Sequence, residues 1–114
     1  MKNHNLTKGD FAEDLAATYL LQKGYDILEK KYRVPTGEID IIAQQNEYIV
    51  FVEVKYRKNI EHGFPRESVH LAKQKKIQES ALYYIACQFG YEVDMRFDVI
   101  EVLDKEIVHL ENAF

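Results

Sequence analysis

The chain has 114 residues, of which 46% are hydrophobic and 30% charged, and this composition is typical of one globular domain with its own core. No stretch reaches the roughly 18 consecutive apolar residues of a membrane-spanning helix, and the polar first ten residues do not resemble a secretory signal. The single cysteine, Cys87, excludes an internal disulfide. We therefore expect a cytoplasmic protein without a membrane partner, consisting of one domain over residues 1–114 with a flexible segment at 1–8.

The charges are unevenly distributed along the chain. The formal net charge of −4 argues mildly against a nucleic-acid partner. However, residues 30–76 contain ten basic and six acidic residues, whereas the chain from Asp98 onward contains five acidic residues and one basic residue. We interpret the middle of the chain as a DNA-binding surface without sequence specificity, and a solvated surface of mixed charge is the alternative. The expected phosphate contacts are Arg57, Lys58, Lys73, Lys75 and Lys76.

The hydrophobic pattern predicts two helices and five strands, which corresponds to an α/β (α+β) chain with a mixed five-stranded sheet flanked by helices. The first helix should end at Gly24, and the apolar stripe of the second helix includes Ile77, Ala81 and Gln88. Cys87 should fill space in the core, and all four histidines should lie on the surface. The predicted helices are 9–23 and 67–89, and the predicted strands are 25–33, 37–43, 48–55, 93–99 and 107–110.

Two of these strands carry charged residues inside apolar runs. Glu38 and Asp40 interrupt one, and Glu53 and Lys55 interrupt the next. Burial of such charges is unfavourable unless they are paired or bind a metal. A hairpin with a loop of two or four residues centred on 45–46 would place Glu38 opposite Glu53 and Asp40 diagonal to Glu53. One face would then carry Glu38, Asp40, Glu53, Lys55 and Arg57, and the apolar opposite face would carry Ile39, Ile41, Val50, Val52 and Val54.

Carboxylates that converge beside a lysine can hold a hard cation and activate water against a phosphodiester. We expect Asp40 and Glu53 to be ligands of Mg²⁺ or Mn²⁺, with the carbonyl of Val54 as a further ligand. Glu13 continues the apolar stripe of the first helix and would reach the metal directly or through water. The alternative for Glu13 is a first-turn residue favoured by the helix dipole. The alternative for the strand residues is a structural ion pair with Lys55.

Several motifs resemble those of the small YraN-like (UPF0102) bacterial proteins, within the PD-(D/E)-x-K restriction-endonuclease-like superfamily. They are Gly9-x-x-Ala12-Glu13-x-x-Ala16, Leu20-x-x-x-Gly24-Tyr25, Gly37-Glu38-Ile39-Asp40-Ile41-Ile42-Ala43, Phe51-Val52-Glu53-Val54-Lys55-x-Arg57 and Arg96-Phe97-Asp98-Val99.

The resemblance implies a three-layer restriction-endonuclease-like fold and a metal-dependent DNA endonuclease similar to archaeal Holliday-junction resolvases. It implies catalytic roles for Glu13, Asp40, Glu53 and Lys55, branched or damaged DNA as substrate, and a homodimer. Pro35 does not directly precede an acidic residue, so Glu38 stays open as an accessory ligand beside the favoured Asp40.

Two other functions remain open at the level of sequence. The first is a nucleic-acid-binding accessory protein whose nuclease site is degenerate or inactive. The second is an ion-paired scaffold that recruits another protein, for which the acidic end of the chain is the candidate surface.

Overall fold

The described part of the chain forms one five-stranded sheet with a helix packed on each face. The computed structural model describes residues 7–57, 69–104 and 106–114. The five strands lie in the sheet in their order along the chain, and only the third and the fourth are parallel. The predicted mixed sheet and three-layer architecture are therefore confirmed. The elements are α1 (Lys8–Gln22), β1 (Asp26–Val34), β2 (Gly37–Gln45), β3 (Tyr48–Arg57), α2 (Leu71–Gln88), β4 (Asp94–Leu103) and β5 (Glu106–Leu110).

The two helices cover opposite faces of the sheet. Helix α1 begins with a capping box between Thr7 and Asp10, and its buried alanines pack on the face that carries Ile41 and Val52. Helix α2 belongs to the crossover that a parallel strand pair requires, and it packs on the face that carries Phe51. None of the helices in the described ranges is long and apolar enough to cross a membrane.

The alternation of side chains along β2 breaks at Asp40. Ile41 packs in the cluster under α1, whereas Ile39 packs with Ile42 in the cluster under α2. Regular alternation would place Ile39 and Ile41 on the same face, so the prediction that they share a face was wrong. Asp40 therefore lies at a local irregularity of the strand, and strand irregularities of this kind redirect side chains.

The hairpin between β2 and β3 has a two-residue loop, Asn46 and Glu47. Asn46 adopts a φ of 55°, a region that asparagine tolerates better than most residues. Strand pairing aligns Ile41 with Val52 and Ile42 with Phe51. The predicted register, with Glu38 opposite Glu53, was thus wrong by two positions. If the observed register is extended beyond Ile41 and Val52, Asp40 stands opposite Glu53.

Some surface assignments also differ from the prediction. Gln88 and Cys87 are exposed rather than packed in the core, because both lie beyond Ile85, the last buried residue of α2. His109 was expected at the surface, but its side chain is only 6% exposed. His70 is exposed as predicted. Helix α2 was predicted from residue 67, but its N-cap residue His70 is extended and the helix begins at Leu71. Residue 67 itself, Lys58, His4 and His62 lie outside the described residues.

His109 is buried because it belongs to a hydrogen-bonded network around Asp98. The Asp98 carboxylate accepts two hydrogen bonds from the Arg96 guanidinium, each at 2.9 Å, one from His109 Nε2 at 2.7 Å and one from the Asn112 N–H at 3.0 Å. The Tyr19 hydroxyl meets His109 Nδ1 at 3.1 Å. Burial alone would raise the pKa of Asp98, but the bonds from His109 and Arg96 outweigh it, and the pKa is lowered. The network joins α1, β4 and β5.

We predict that Asp98→Ala lowers the free energy of unfolding by about 3–5 kcal/mol, because it leaves the partly buried charge of Arg96 without its partner. The measurement is urea denaturation at pH 7. Because the folded pKa of Asp98 is depressed, its contribution is present at neutral pH and is lost as the pH falls below about 4. The difference between the two proteins should shrink in that acidic range. Asp94→Ala, at an exposed position of the same strand, should cost less than about 0.5 kcal/mol, and an equal cost for both variants would contradict the network's role.

Candidate metal centre at the fork between two strands

Strands β2 and β3 separate at one end of their hairpin. Their pairing stops at Ile41 and Val52. Beyond that point, among the described residues, β2 pairs only with β1 and β3 pairs only with β4. The Asp40 carboxylate enters this gap, where its Oδ2 accepts a hydrogen bond from the Val54 N–H at 2.8 Å. We call this gap, with Asp40 and Val54 at its edges, the fork.

The fork also orients the Val54 carbonyl. The N–H and C=O of a strand residue point toward the same neighbouring strand, so the carbonyl is directed to the side on which the Val54 N–H meets Asp40. This orientation agrees with the role that we predict for the Val54 oxygen.

Three carboxylates from three elements meet at the fork. Asp40 comes from β2, Glu53 from β3 and Glu13 from α1. Burial, followed by the negative charge of Glu53, raises the pKa of Asp40 to about 7. Burial and the nearby Asp40 also raise the pKa of Glu13, although Lys31 partly opposes this. Carboxyl groups whose pKa values rise together in this way favour a cation among them.

Lysine ammonium groups lie against these carboxylates. Lys73 contacts Glu53 Oε2, and Lys55 Nζ lies 3.9 Å from the same oxygen. Lys31 Nζ lies 3.0 Å from Glu13 Oε1 and 2.9 Å from Asp10 Oδ1. Burial and the charge of Lys73 lower the pKa of Lys55. The negative charge of the three carboxylates is therefore partly neutralised by lysines of the same chain.

The donor atoms suit a hard divalent ion. Carboxylate and carbonyl oxygens are the ligands that Mg²⁺ and Mn²⁺ prefer, and among the described residues the close partner of the buried Glu13 Oε1 is the Lys31 ammonium at 3.0 Å. Within 7–57, 69–104 and 106–114, no three acidic, histidine or cysteine side chains form a complete ligand set. Lys31 and Lys73 instead hold the outer two carboxylates. The residues fit a metal whose binding would replace ammonium contacts.

Other candidate residues lie around this centre rather than in it. Glu38 is ion-paired with Arg33, whose Nε is 3.2 Å from Glu38 Oε2. Arg57 Nε lies 3.4 Å from Oε1 of the buried Glu101. Two further lysines on α2, Lys75 and Lys76, are exposed.

Sequence reasoning missed two contacts at this centre. It did not connect Lys31 with Glu13, since nothing in the pattern of β1 distinguishes that lysine. It placed Lys73 among the DNA contacts, whereas its ammonium lies on Glu53. The position of Lys73 in the first turn of α2 is a signal only once the helix is known to pass over the fork.

Comparison with known proteins places the chain in a family. The family model described as "Uncharacterised protein family UPF0102" matches residues 12–102. This protein belongs to the UPF0102 family. That match includes all the residues of the candidate centre, and the resemblance to this family is confirmed.

Close relatives cover nearly the whole chain. A UPF0102 protein of Clostridioides difficile is 54% identical over 113 residues, which is 97% of this chain and 99% of the relative. A UPF0102 protein of Thermodesulfovibrio yellowstonii is 52% identical over 106 residues, which is 93% of this chain and 94% of the relative. One from Lachnoclostridium phytofermentans is 46% identical over 114 residues, with 99% of this chain and 93% of the relative covered.

We predict that Asp40→Asn stabilises the metal-free protein at pH 8 by about 1–3 kcal/mol. The folded pKa of Asp40 is raised to about 7, so its contribution to stability is present below about pH 4 and is lost as the pH rises through 7. Asparagine keeps an acceptor for Val54 and removes the repulsion. Urea denaturation between pH 4 and 8 measures the effect, with Asp26→Asn at an exposed site as control. A variant less stable than wild type at pH 8 would contradict the assigned repulsion.

Proposed function

We propose that this UPF0102 protein is a Mg²⁺- or Mn²⁺-dependent endonuclease that hydrolyses phosphodiester bonds of DNA. The observation that supports it most is the Asp40 carboxylate at the fork, bonded to the Val54 N–H and flanked by Glu53 and Glu13. Acidic side chains from three elements, with a lysine two residues after Glu53 on β3, are the groups that metal-assisted phosphodiester hydrolysis requires.

The metal ligands in this proposal are Asp40, Glu53 and the Val54 carbonyl, with Glu13 directly or through water. When bound, the ion supplies Lewis acidity toward the phosphoryl oxygen and lowers the pKa of a coordinated water. The chain's own residues fix the position: the bond from Val54 orients one oxygen of Asp40. The burial of Glu53, which is 3% exposed, limits the motion of its carboxylate.

Lys55 is the proposed catalytic lysine. Its Nζ lies 3.9 Å from Glu53 Oε2, and its side chain is 27% exposed, so its ammonium lies between the buried carboxylates and solvent. From there it orients the attacking water and stabilises negative charge that develops at the phosphorus. Burial lowers the pKa of Lys55, and this eases the exchange of a proton with that water.

The substrate class follows from the charges around the fork. Arg57 lies on β3, and Lys73, Lys75 and Lys76 lie on α2. With Lys58, which lies outside the described residues, they are the proposed contacts to backbone phosphates. Such contacts give affinity without base readout. The resemblance to resolvases makes branched or damaged DNA the preferred form, cut in the cytoplasm by a homodimer with two active sites.

We predict that Lys55→Met and Glu53→Gln each reduce cleavage by about 100-fold or more, because each removes a charge that acts in the transition state. The measurement is single-turnover cleavage of linear, nicked, flapped and four-way DNA with Mg²⁺ or Mn²⁺. Lys23→Met, which removes the same charge at an exposed position that follows α1 and lies outside the proposed DNA contacts, should retain the wild-type rate. A folded wild-type protein that cleaves none of these substrates with either ion would refute the proposal.

A second function is favoured by one observation, the ion pairs that Lys31 and Lys73 already form with the acidic cluster. A site balanced in this way needs no metal, as in a DNA-binding accessory protein with an inactive site or in an ion-paired scaffold for another protein.

We predict that 1 mM Mn²⁺ raises the melting temperature of the wild type by several degrees and leaves that of Asp40→Asn unchanged, because only the native wild-type site binds the ion. Differential scanning fluorimetry measures both melting temperatures, and the same proteins in buffer without divalent ions are the reference. Equal melting temperatures with and without Mn²⁺ favour the second function. Salt-dependent DNA binding that survives Asp40→Ala, without cleavage, then identifies the accessory protein, and absence of DNA binding identifies the scaffold.

A further inference from the structure

Lys73 is the least expected member of the acidic centre. It lies in the first turn of α2, which begins at Leu71, and its ammonium crosses from the helix to the Glu53 carboxylate. Its side chain is 47% exposed, whereas that of Glu53 is 3% exposed. The ammonium therefore meets a buried carboxylate from the solvent side.

The contact does more than an ordinary surface ion pair. Glu53 is buried, and an unpaired charge there would be strongly unfavourable. Lys55 is the other ammonium near this carboxylate in the described chain, and it is farther away, at 3.9 Å. Lys73 thus supplies the nearest counter-charge of Glu53.

A divalent ion on Glu53 would compete with Lys73 for the same group. Lys73 and Lys55 both approach Oε2 of Glu53. An ion bound by Glu53 and Asp40 would repel an ammonium at contact distance, and the Lys73 side chain, at 47% exposure, is the less confined of the two lysines. Lys55 has less freedom because its side chain is only 27% exposed.

The start of α2 is a place where a phosphate could bind beside the released ammonium of Lys73. Within the described residues 69–104, the N-cap residue His70 makes no side-chain capping hydrogen bond, and the first turn contains no acidic residue. These residues therefore leave the helix end with the positive potential that favours a phosphate. Lys73 projects from the same turn, beside the exposed Lys75.

We infer that Lys73 is an exchangeable counter-ion: it neutralises Glu53 in the metal-free protein, is displaced when a divalent ion binds, and then contacts a phosphate of the DNA strand to be cut. This inference rests on the proposed endonuclease function and adds a residue to it. Metal binding and DNA binding are thereby coupled, since the ion releases a positive charge for the substrate.

The first test is the affinity for Mn²⁺ itself, without DNA. Titration calorimetry at fixed pH and ionic strength compares wild type, Lys73→Met and Lys75→Met. Removal of the competing ammonium should lower the dissociation constant of Lys73→Met about five-fold or more, whereas Lys75→Met, with the same change in net charge, should stay within about two-fold. If Lys73→Met does not fold, Lys73→Gln keeps a polar end without the charge and takes its place.

The second test is the salt dependence of DNA affinity in the Lys55→Met background, in which cleavage is blocked. With Mn²⁺ bound, adding Lys73→Met should reduce the slope of log K against log salt by about one phosphate contact. Without metal the slope should not change, because Lys73 is then held by Glu53. A role in folding alone would not produce this dependence on metal.

Unchanged or weaker Mn²⁺ binding by Lys73→Met would overturn the inference, and so would a salt slope that changes equally with and without metal. The proposed endonuclease would survive either result if the wild type still cleaves DNA. A wild type that neither binds Mn²⁺ nor cleaves DNA would instead refute the proposed function and this inference together.

Discussion

The candidate centre depends on one hydrogen bond, from the Val54 N–H to Asp40 Oδ2 at 2.8 Å. In a continuous hairpin this N–H would be available to a backbone carbonyl of β2. Here pairing stops at Ile41 and Val52, and a side-chain oxygen takes the place of the carbonyl. The same bond satisfies a backbone donor at the edge of the gap and holds a carboxylate between the two separating strands. Glu53 then approaches Asp40 from β3 and Glu13 from α1, so the positions of the other acidic residues follow from the fork.

Buried charge is stabilised in different ways at Asp98 and at the fork, although Asp98 is the register neighbour of Val52 at the edge of the fork. Around Asp98 every charged group has an opposite partner, and four hydrogen bonds hold the carboxylate. That network stabilises the joint between α1 and the β4–β5 edge. At the fork, like charges are held close, the pKa of Asp40 rises to about 7, and balance comes from lysines at the rim. The repulsion between these carboxylates lowers the stability of the folded state, and the rest of the fold must be stable enough to compensate. Unfavourable interactions of this kind are typical of functional sites.

Much of this arrangement could be predicted from the sequence. The hydrophobic alternation and the turn residues predicted the element order. The hairpin register was wrong by two positions, because the loop is centred on 46–47 rather than on 45–46. A shift of two positions does not change which side chains of β2 and β3 share a face. The break at Asp40 could not be predicted, since Ile39 reads as a regular strand residue and only packing under α2 reverses it. The contact of Lys73 with Glu53 was also inaccessible, because it depends on how α2 crosses the sheet. Family membership came from motifs near these same residues.

The position of a bound Mn²⁺ tests the central claim most directly. A crystal of the wild type grown with Mn²⁺ and measured near the manganese absorption edge locates the ion by its anomalous scattering. We predict one peak at the fork, with Asp40 and Glu53 as ligands and the Lys73 ammonium moved away from Glu53. A well-ordered fork with Asp40, Glu53 and Lys73 unchanged, and no anomalous peak beside them at saturating Mn²⁺, would contradict the account.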